Sequence, residues 1–417
     1  MPDILVIGGG AAGMAAALFA ARAGVSVQLL EKNEKLGKKV YITGKGRCNL
    51  TNDCDRDDFL AQVPRNPRFL YSALDFFSPR DMMSLLEDAG CPVEVQRGRR
   101  VFPRSEKASD VTKALTFCLQ SAGVRIRLNA EVRSLECSGD RIAGVRLRTG
   151  ELIPADAVIL CTGGLSYPST GSTGDGYRFA AEAGHSILPP APVLVGLETE
   201  ETWPCLLQGL SLRNVTLTLS RGKKELYSEL GEMLFTHYGI SGPLVLEASC
   251  HLPDPPESAS LAIDLKPGLS ADQLDARLLR DFAAAGKKLL RSELSQLLPA
   301  RLADMFPERC GLSASLPCSQ ITAAQRHRLV ETLKALPLTV RSPRPLDEAV
   351  VTRGGVSVRE IDPGTMRSKI IPNLYFAGEM IDVDAHTGGY NLQIAWSTGA
   401  LAGRSAADCR WQDSQQR

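Results

Sequence analysis

Long apolar runs are absent from this sequence, and so is an excess of charge of one sign. No uninterrupted apolar stretch reaches the ~18–20 residues that a membrane-spanning helix needs. The opening residues, Met-Pro-Asp-Ile-Leu, lack the basic region of a signal peptide. The 48 lysines and arginines nearly balance the 47 aspartates and glutamates, so the formal net charge is +1, with no overall attraction to nucleic acid. We therefore expect a cytoplasmic protein with no membrane partner.

The eleven cysteines form no C-x-x-C pair and no Cys/His grouping with the spacing of a zinc site. Their number is odd, and they are scattered from Cys48 to Cys409. Reduced, buried thiols of a cytoplasmic protein account best for this distribution. The sequence thus predicts neither a disulfide framework nor a metal site.

The first thirty-one residues carry the strongest pattern in the chain. An apolar strand at 4–7 runs into G-x-G-x-x-G (Gly8, Gly10, Gly13), an alanine-rich helix follows, and a second apolar strand ends at Glu31. In a dinucleotide-binding turn the glycines allow the tight turn, the approach of the pyrophosphate and close helix packing. The acid accepts hydrogen bonds from the ribose hydroxyls. A free 2′-hydroxyl is favoured, so the sequence predicts FAD or NAD rather than NADP.

Three later segments favour FAD over NAD. A buried strand at 157–161 ends in Thr162-Gly163-Gly164, and another at 374–377 ends in Gly378-Glu379, where the acid suits a ribityl hydroxyl. The segment 386–393 places two glycines at a helix start, where N–H groups and the helix dipole could stabilise the anionic edge of a reduced flavin. No second strand–GxGxxG–helix unit occurs, so a dedicated NAD(P)H domain is not expected. NAD(P)H would act only as a transient reductant at the flavin face, unless another reductase or the substrate supplies the electrons.

The alternation of elements predicts an α/β protein whose Rossmann-like, nucleotide-binding domain is discontinuous. We expect that domain to comprise 1–188 and 352–417, with the crossing at the proline-rich run Leu188–Pro192. The insert is predicted to contain a β-rich unit (189–269 and 337–351) and a helical unit (270–336). The oligomeric state is left open.

Six motifs together resemble one family. They are Gly8–Gly13 with Glu31, 44–52 (GKGRCNLTN), 168–176 (PSTGSTGDG), 235–243 (FTHYGISGP), 352–356 (TRGGV) and 378–393. The chain resembles, over essentially its whole length, the BaiN/RdsA family of bacterial FAD-dependent oxidoreductases, also labelled aminoacetone-oxidase-like. The resemblance implies a glutathione-reductase-type FAD-binding domain that is interrupted by a β-barrel-like unit and a helical unit. It also implies FAD contacts from Gly46, Arg47, Asn49 and Thr51. Glu379 departs from broader flavoproteins, many of which carry the shorter Asp there.

Pattern and resemblance together predict one set of FAD-binding residues. It is Gly8, Gly10, Ala11, Ala12, Gly13, Glu31, Lys32, Gly46, Arg47, Cys48, Asn49, Thr51, Val132, Thr162, Gly163, Gly164, Gly378, Glu379, Gly389, Tyr390, Asn391 and Leu392.

The family resemblance implies three substrate classes: 3-oxo-Δ4/Δ6 bile acids or steroids, uracil in ribosomal RNA, and small amines. The first two share the reduction of a C=C conjugated to a carbonyl, in which flavin N5 delivers hydride to the β-carbon and an acid protonates the α-carbon. We expect this reaction on a small-molecule enone. The alternatives are an rRNA dihydrouridine synthase, an amine (aminoacetone-type) oxidase, and a non-catalytic FAD-bound protein that binds a partner.

The proton donor is sought among residues near the predicted flavin face. Cys48, Tyr390 and His386 form the predicted catalytic set, with Tyr167 as a further candidate. Each also has a structural interpretation: Cys48 as a packed small side chain in an ordered loop, Tyr390 as an aromatic wall. We interpret His237, in the Thr-His-Tyr-Gly turn, as a structural histidine.

An RNA partner has one kind of support in the sequence, a local excess of basic residues. The segment 271–345 holds twelve lysines and arginines against seven acids, and Arg97, Arg99, Arg100 and Arg104 form a second cluster. The whole insert, 190–350, carries 17 basic and 19 acidic residues, however. No aromatic residues interleave the basic ones as base stacking would require. Ribosomal RNA therefore stays an alternative to the small molecule.

Overall fold

The computed structural model describes the backbone of residues 2–415 and the side-chain surroundings of residues 2–409. The strands are β1 Ile4–Ile7, β2 Val27–Leu30, β3 Thr51–Asn52, β4 Val93–Gln96, β5 Arg100–Pro103, β6 Arg125–Arg127, β7 Val132–Ser138, β8 Arg141–Leu147, β9 Leu152–Pro154, β10 Ala157–Leu160, β11 Ile187–Val193, β12 Leu197–Thr199, β13 Ser211–Arg221, β14 Lys224–Thr236, β15 Gly239–Ser241, β16 Ser260–Asp264, β17 Leu336–Pro343, β18 Val351–Val356 and β19 Leu374–Phe376. The helices are α1 Ala11–Arg22, α2 Lys38–Ile42, α3 Arg56–Ala61, α4 Tyr71–Phe76, α5 Pro79–Asp88, α6 Ala108–Ser121, α7 Asp175–Glu182, α8 Trp203–Leu206, α9 Pro243–Ser249, α10 Ala271–Ala285, α11 Leu290–Leu294, α12 Ala300–Arg309, α13 Ala323–Lys334 and α14 Tyr390–Gln415.

Two compact units make up the chain. The first joins residues 1–193 to 345–417, and the second is 194–344. The sequence analysis placed the crossings at 188/189 and 351/352. The difference arises because the proline-rich run is not a linker: it forms β11, which pairs antiparallel with β18 from Ile187 opposite Val356 to Val193 opposite Val351. Three prolines are tolerated because β11 lies at the edge of a two-stranded ribbon.

A parallel five-stranded sheet forms the centre of the first unit, in the order β19-β10-β1-β2-β6. The four residues of β1 are all buried, as expected for a strand covered on both faces. Ile7 lies beside Leu160, which in turn lies beside Phe376. The carboxyl ends of β1, β10 and β19 therefore meet at one edge of the sheet, where α/β proteins bind their ligands.

Helices α1 and α14 pack against each other through small residues. A Cβ added at Gly399 would overlap with the carbonyl oxygen of Ala12, and one at Gly403 with that of Ala16. Such close approach needs glycine on one helix and alanine on the other. The last helix of the chain is thereby held against the first, next to the opening strand–turn–helix.

The second unit is a closed six-stranded barrel, β12-β15-β14-β13-β16-β17, together with the helices α10 to α13. Alternate residues of its strands fill the interior; Leu217, Phe235 and Ile263 are fully buried there. Helices α10 and α13 both start with a capping box, Ser270 with Gln273 and Thr322 with Gln325. The predicted fold class is confirmed: a discontinuous Rossmann-type FAD-binding domain with a β-barrel and a helical insert.

Two features are absent from the part of the chain that the structure describes. No helix within residues 2–415 is both long and apolar enough to cross a membrane. Nor does this part of the chain bring three or more His, Cys, Asp or Glu side chains together as a metal-binding group.

Candidate functional site

The turn between β1 and α1 is shaped to receive a phosphate. Gly8 adopts φ +101°, and a Cβ at Gly13 would overlap with the Gly8 carbonyl oxygen, so neither position accepts a side chain. Gly10 is the N-cap of α1 and places no side chain over the first helical N–H groups. A Cβ at Gly10 would meet nothing within 4 Å. Open space thus lies before a free helix N-terminus, the arrangement that binds pyrophosphate.

Glu31 follows β2 and connects it to the glycine turn. Its buried carboxylate accepts a hydrogen bond from the Gly9 N–H (2.7 Å) on Oε2. Oε1 accepts two from Asn33, one from the backbone N–H (2.8 Å) and one from the side-chain amide (2.7 Å). These bonds hold the carboxylate rigidly beside the turn, and further oxygen lone pairs suit ribose hydroxyls.

Glu379 joins three segments that are distant in sequence. Its Oε2 lies 2.6 Å from Lys39 Nζ, and its Oε1 accepts hydrogen bonds from the Ser166 hydroxyl (2.8 Å) and the Thr352 N–H (2.9 Å). Thr352 Oγ1 in turn accepts from the N–H groups of Leu165 and Ser166. Sequence reasoning singled out Glu379 and missed Lys39, Ser166 and this role of Thr352. The motifs TRGGV (352–356) and Gly378-Glu379 were the sequence signal from which the contact between Thr352 and Glu379 could have been predicted.

The GKGRCNLTN loop and the start of α14 form the other wall of the site. The Thr51 hydroxyl donates a buried hydrogen bond to Gln393 Oε1 (2.7 Å). Asn49 lies within hydrogen-bond distance of the Thr51 carbonyl (3.2 Å) and the Gly389 N–H (3.0 Å). A Cβ at Gly389, which adopts φ +101°, would overlap with the Thr51 carbonyl oxygen. This wall therefore depends on glycine at 389.

The same wall is fastened to the opening turn. The Gly378 N–H donates to Thr398 Oγ1 on α14 (3.0 Å), and a Cβ at Gly378 would come within 2.8 Å of the Ala12 Cβ. The Trp396 indole N–H donates to the Leu50 carbonyl (3.0 Å). The structure thus brings the amino-terminal turn, the 44–52 loop and the start of α14 into one cradle.

Next to Glu31 in sequence, Lys32 binds the start of α7. Its ammonium lies 2.7 Å from Asp175 Oδ2 and 2.5 Å from Thr173 Oγ1. Val132 begins β7 and is buried. Glycine is required at 164, where an added Cβ would lie 2.5 Å from Thr352 Oγ1. Lys32, Val132 and Gly164 thus lie in the segments that follow β2, β6 and β10, respectively.

The predicted catalytic residues occupy very different surroundings. Cys48 adopts φ +62° and is fully buried, and this burial raises the pKa of its thiol to about 12. It is therefore a neutral, packed side chain. His386 is half-buried; burial lowers its pKa, and its Nδ1 lies 3.2 Å from Gln62 Oε1. The imidazole is consequently neutral at physiological pH.

Tyr390 is the first residue of α14 and is half-buried, with its ring edge-to-face on Phe59 at 5.1 Å. Tyr167 is half-buried too, with the Lys39 ammonium 5.9 Å from its ring. His237 belongs to the second unit, where its exposed ring lies edge-on to Tyr238 at 5.0 Å. His237 therefore lies in the turn between β14 and β15, and its structural role stays a prediction.

The residues present fit FAD. A glycine turn with an uncapped helix faces open space, a buried acid ends β2, and a second helix start lies across the sheet edge with glycine where a side chain would overlap. This arrangement defines a Rossmann-type FAD-binding domain of the oxidoreductase class. The model of the family described as "HI0933-like protein Rossmann domain" matches residues 2–405. The chain belongs to that family, a family of FAD-dependent oxidoreductases, and the family resemblance of the sequence is confirmed.

Two curated relatives match nearly the whole chain. The 3-dehydro-bile acid delta(4,6)-reductase of Clostridium scindens is 33% identical, over 98% of this chain and 100% of its own length. The ribosomal RNA dihydrouridine synthase of Haemophilus influenzae is 33% identical, over 94% of this chain and 96% of its own length. Among solved structures, the 3-ketosteroid-delta4-(5alpha)-dehydrogenase of Rhodococcus jostii superposes with a TM-score of 0.52 at 16% identity, covering 97% of this chain and 96% of that one. That likeness concerns the fold.

Proposed function

We propose that this protein uses bound FAD to reduce a C=C bond conjugated to a carbonyl in a small-molecule enone of the 3-oxo bile acid or steroid type. The cradle of the first unit supports the cofactor. The reaction class is supported by the two relatives, because a bile acid Δ4,6-reductase and a dihydrouridine synthase both saturate a ring C=C next to a carbonyl.

Several parts of the chain would hold the cofactor. The N–H groups at the start of α1 would bind the pyrophosphate, Glu31 the adenosine ribose, and Glu379 the ribityl chain. The N-terminus of α14 would face the electron-rich edge of the flavin, where its dipole stabilises negative charge. When bound, FAD supplies the two electrons that reduce the substrate, and NAD(P)H is the proposed transient reductant.

Among the predicted catalytic residues we propose Tyr390 as the proton donor. Its position at the start of α14 places it beside the proposed flavin edge, and its half-buried ring is held by Phe59. Cys48 is a weaker candidate because its fully buried thiol has no access to a substrate. His386 is neutral and could donate a proton only from a ring N–H, so it ranks second.

The first test separates the two half-reactions. Anaerobic NAD(P)H should bleach the yellow flavin of the purified protein, and an added enone should restore the colour, followed by stopped-flow absorbance. Tyr390→Phe keeps the ring on Phe59 and should leave bleaching unchanged while slowing reoxidation by roughly 100-fold, the typical contribution of general acid catalysis.

Two results would contradict this assignment. Turnover only with an amine and oxygen would make the protein an amine oxidase. A flavin that no reductant bleaches would favour the non-catalytic alternative.

Ribosomal RNA is the second candidate substrate, because one exposed basic hairpin adjoins the cradle. Arg97, Arg99 and Arg100 are exposed at the turn between β4 and β5. Strand β5 pairs with β3, and the Asn52 side chain bridges the Gly98 carbonyl (3.0 Å) and the Gly388 carbonyl (3.1 Å). RNA phosphates bound by these arginines would lie next to the 44–52 loop and Gly388, beside the proposed flavin site.

The second test measures dihydrouridine in ribosomal RNA from a strain that lacks the gene. If the small-molecule proposal is right, the dihydrouridine content stays at the wild-type level. Its loss would identify RNA as the substrate. Re-expression of Arg97→Ser/Arg100→Ser should then restore less dihydrouridine than re-expression of Arg178→Ser, which removes an exposed arginine from α7.

A further inference from the structure

Two segments of the first unit lie side by side, and one of them comes just before Gly388 and Gly389 in sequence. One is 62–66, between α3 and α4, and the other is 382–386. Three pairs join them in antiparallel order: Gln62 with His386, Arg65 with Asp384, and Asn66 with Asp382. The His386 N–H donates to the Gln62 carbonyl (2.9 Å). The Asn66 amide donates to the Asp382 carbonyl (2.7 Å) and to its carboxylate (3.1 Å).

Asp384 lies in the middle of this ladder with an unusual environment. Its side chain is completely buried, and neither carboxylate oxygen accepts a hydrogen bond from any residue that the structure describes. Arg65 Nε lies 3.9 Å from Oδ1, too far for a hydrogen bond, and is itself buried without an acceptor. The charged groups that face Asp384 are Arg65, Arg353 and Asp382. A buried carboxyl held by charge but by no hydrogen bond is poised to change its protonation state.

Asn391 connects this carboxyl to the proposed flavin edge. Its Oδ1 accepts from the Ala385 N–H (3.0 Å), and its Nδ2 donates to the carbonyls of Ala385 (2.7 Å) and His386 (3.3 Å). Asn391 belongs to the first turn of α14, so the residue next to Asp384 is fastened to the helix start that would face the flavin.

We propose that Asp384 is a positioning residue that couples reduction of the flavin to uptake of a second proton. Two electrons from the reductant and one proton go to the flavin, and a second proton converts the Asp384 carboxylate to the acid. The negative charge arriving with the electrons is thereby balanced inside the protein. The proposal rests on the proposed function only in requiring bound FAD.

Burial supports this role. It raises the pKa of Asp384 to about 6 against the opposing effect of Arg65 and Arg353, with Asp382 adding to the rise. Negative charge on the reduced flavin would raise this pKa further. The extra proton is therefore taken up from about pH 6 upwards, until the pH exceeds the pKa of Asp384 in the reduced protein.

The test is a spectroelectrochemical titration of the holoprotein from about pH 5 to about pH 9. This range spans the pH window in which the second proton is expected to be taken up. In the wild type the slope of the flavin potential against pH should double inside this window. It should change from the slope of one proton per two electrons to that of two protons per two electrons. Asp384→Asn should remove this doubling and raise the potential above the window, because a negative charge is gone. Asp75→Asn, an exposed carboxylate paired with Arg56 at 2.8 Å, is the matched control and should behave as the wild type.

Arg65→Gln provides a second variant, since the Arg65 side chain is 40% exposed and the fold tolerates its loss more easily. Removing this cation should move the window to higher pH. Equal slopes in the wild type and both variants would overturn the inference while leaving flavin binding and reduction intact. A wild type that binds no flavin would instead contradict the proposed function.

The apoprotein gives a readout that needs no flavin. The pKa of Asp384 is higher in the folded protein than in the unfolded one, so the ionised carboxylate lowers the free energy of unfolding. This destabilisation is absent below the unfolded pKa and is largest above about pH 6. The melting temperature of Asp384→Asn relative to wild type should therefore rise between about pH 4 and about pH 6 and then level off. A difference that does not change with pH would contradict the proposal.

Discussion

Gly10→Asp should give a protein that folds normally and purifies without flavin. A Cβ at this position meets nothing within 4 Å, so the side chain fits without strain. Aspartate is also a favourable N-cap for α1 and should not lower the melting temperature of the apoprotein. Its carboxylate, however, would occupy the space before the helix N-terminus. Repulsion from a pyrophosphate charge at ~4 Å is worth about 4 kcal/mol at an effective dielectric constant of ~20, or roughly 1,000-fold in FAD affinity.

The measurement is the FAD dissociation constant by fluorescence, with the apoprotein melting curve alongside. Gly268→Asp adds the same charge at an exposed glycine whose Cβ also meets nothing, and it should keep the flavin. Gly13 is a poorer choice because any Cβ there overlaps with the Gly8 carbonyl and damages the turn itself. Tight flavin binding by Gly10→Asp would show that the pyrophosphate does not lie at this helix start.

Gly389→Ala should weaken both the fold and the cofactor site. The added Cβ would overlap with the Thr51 carbonyl oxygen, and a non-glycine residue at φ +101° is strained by about 1–3 kcal/mol. With the steric displacement, we expect the free energy of unfolding to fall by about 3 kcal/mol. The FAD affinity should fall as well, because the 44–52 loop and the start of α14 are pushed apart.

Gly90→Ala is the matched control for strain alone. Gly90 follows α5 with φ +76°, and its Cβ would meet nothing within 4 Å. We expect a loss of about 1 kcal/mol there and unchanged FAD affinity. Urea unfolding of the apoproteins and FAD titration measure the two effects. Equal losses in both variants would mean that the contact between Gly389 and Thr51 is not needed for the cradle.

Elements that form through interactions between residues close in sequence could be predicted from the sequence. The strand, glycine turn, helix and second strand of residues 4–31 were identified because the tight turn at Gly8 and the close approach of Gly13 to the Gly8 carbonyl involve residues a few positions apart. The β-rich and helical parts of the insert were also expected, since apolar residues alternate along β13 and recur with helical spacing along α10. Composition and motif spacing suffice for features of this kind.

Features that depend on distant partners were missed or misplaced. The run Leu188–Pro192 has the composition of a linker and becomes a strand only because β18 lies beside it. Cys48 was a candidate proton donor because of its neighbours in sequence, but its left-handed backbone turns the thiol into the core. The pairs of Arg65 with Asp384 and Lys39 with Glu379 join residues more than three hundred positions apart. No local pattern reports such contacts.

The sequence by itself determined the class of this protein, because a dinucleotide turn is built from the steric limits of consecutive residues and the identity of one acid. Only the tertiary structure decided which side chains complete the site. Asp384 is buried beside Arg65, and Glu379 is paired with Lys39, because segments more than three hundred positions apart meet in the fold. Cys48 is likewise enclosed in the core of the first unit. Protonation and reactivity follow from those surroundings rather than from residue type.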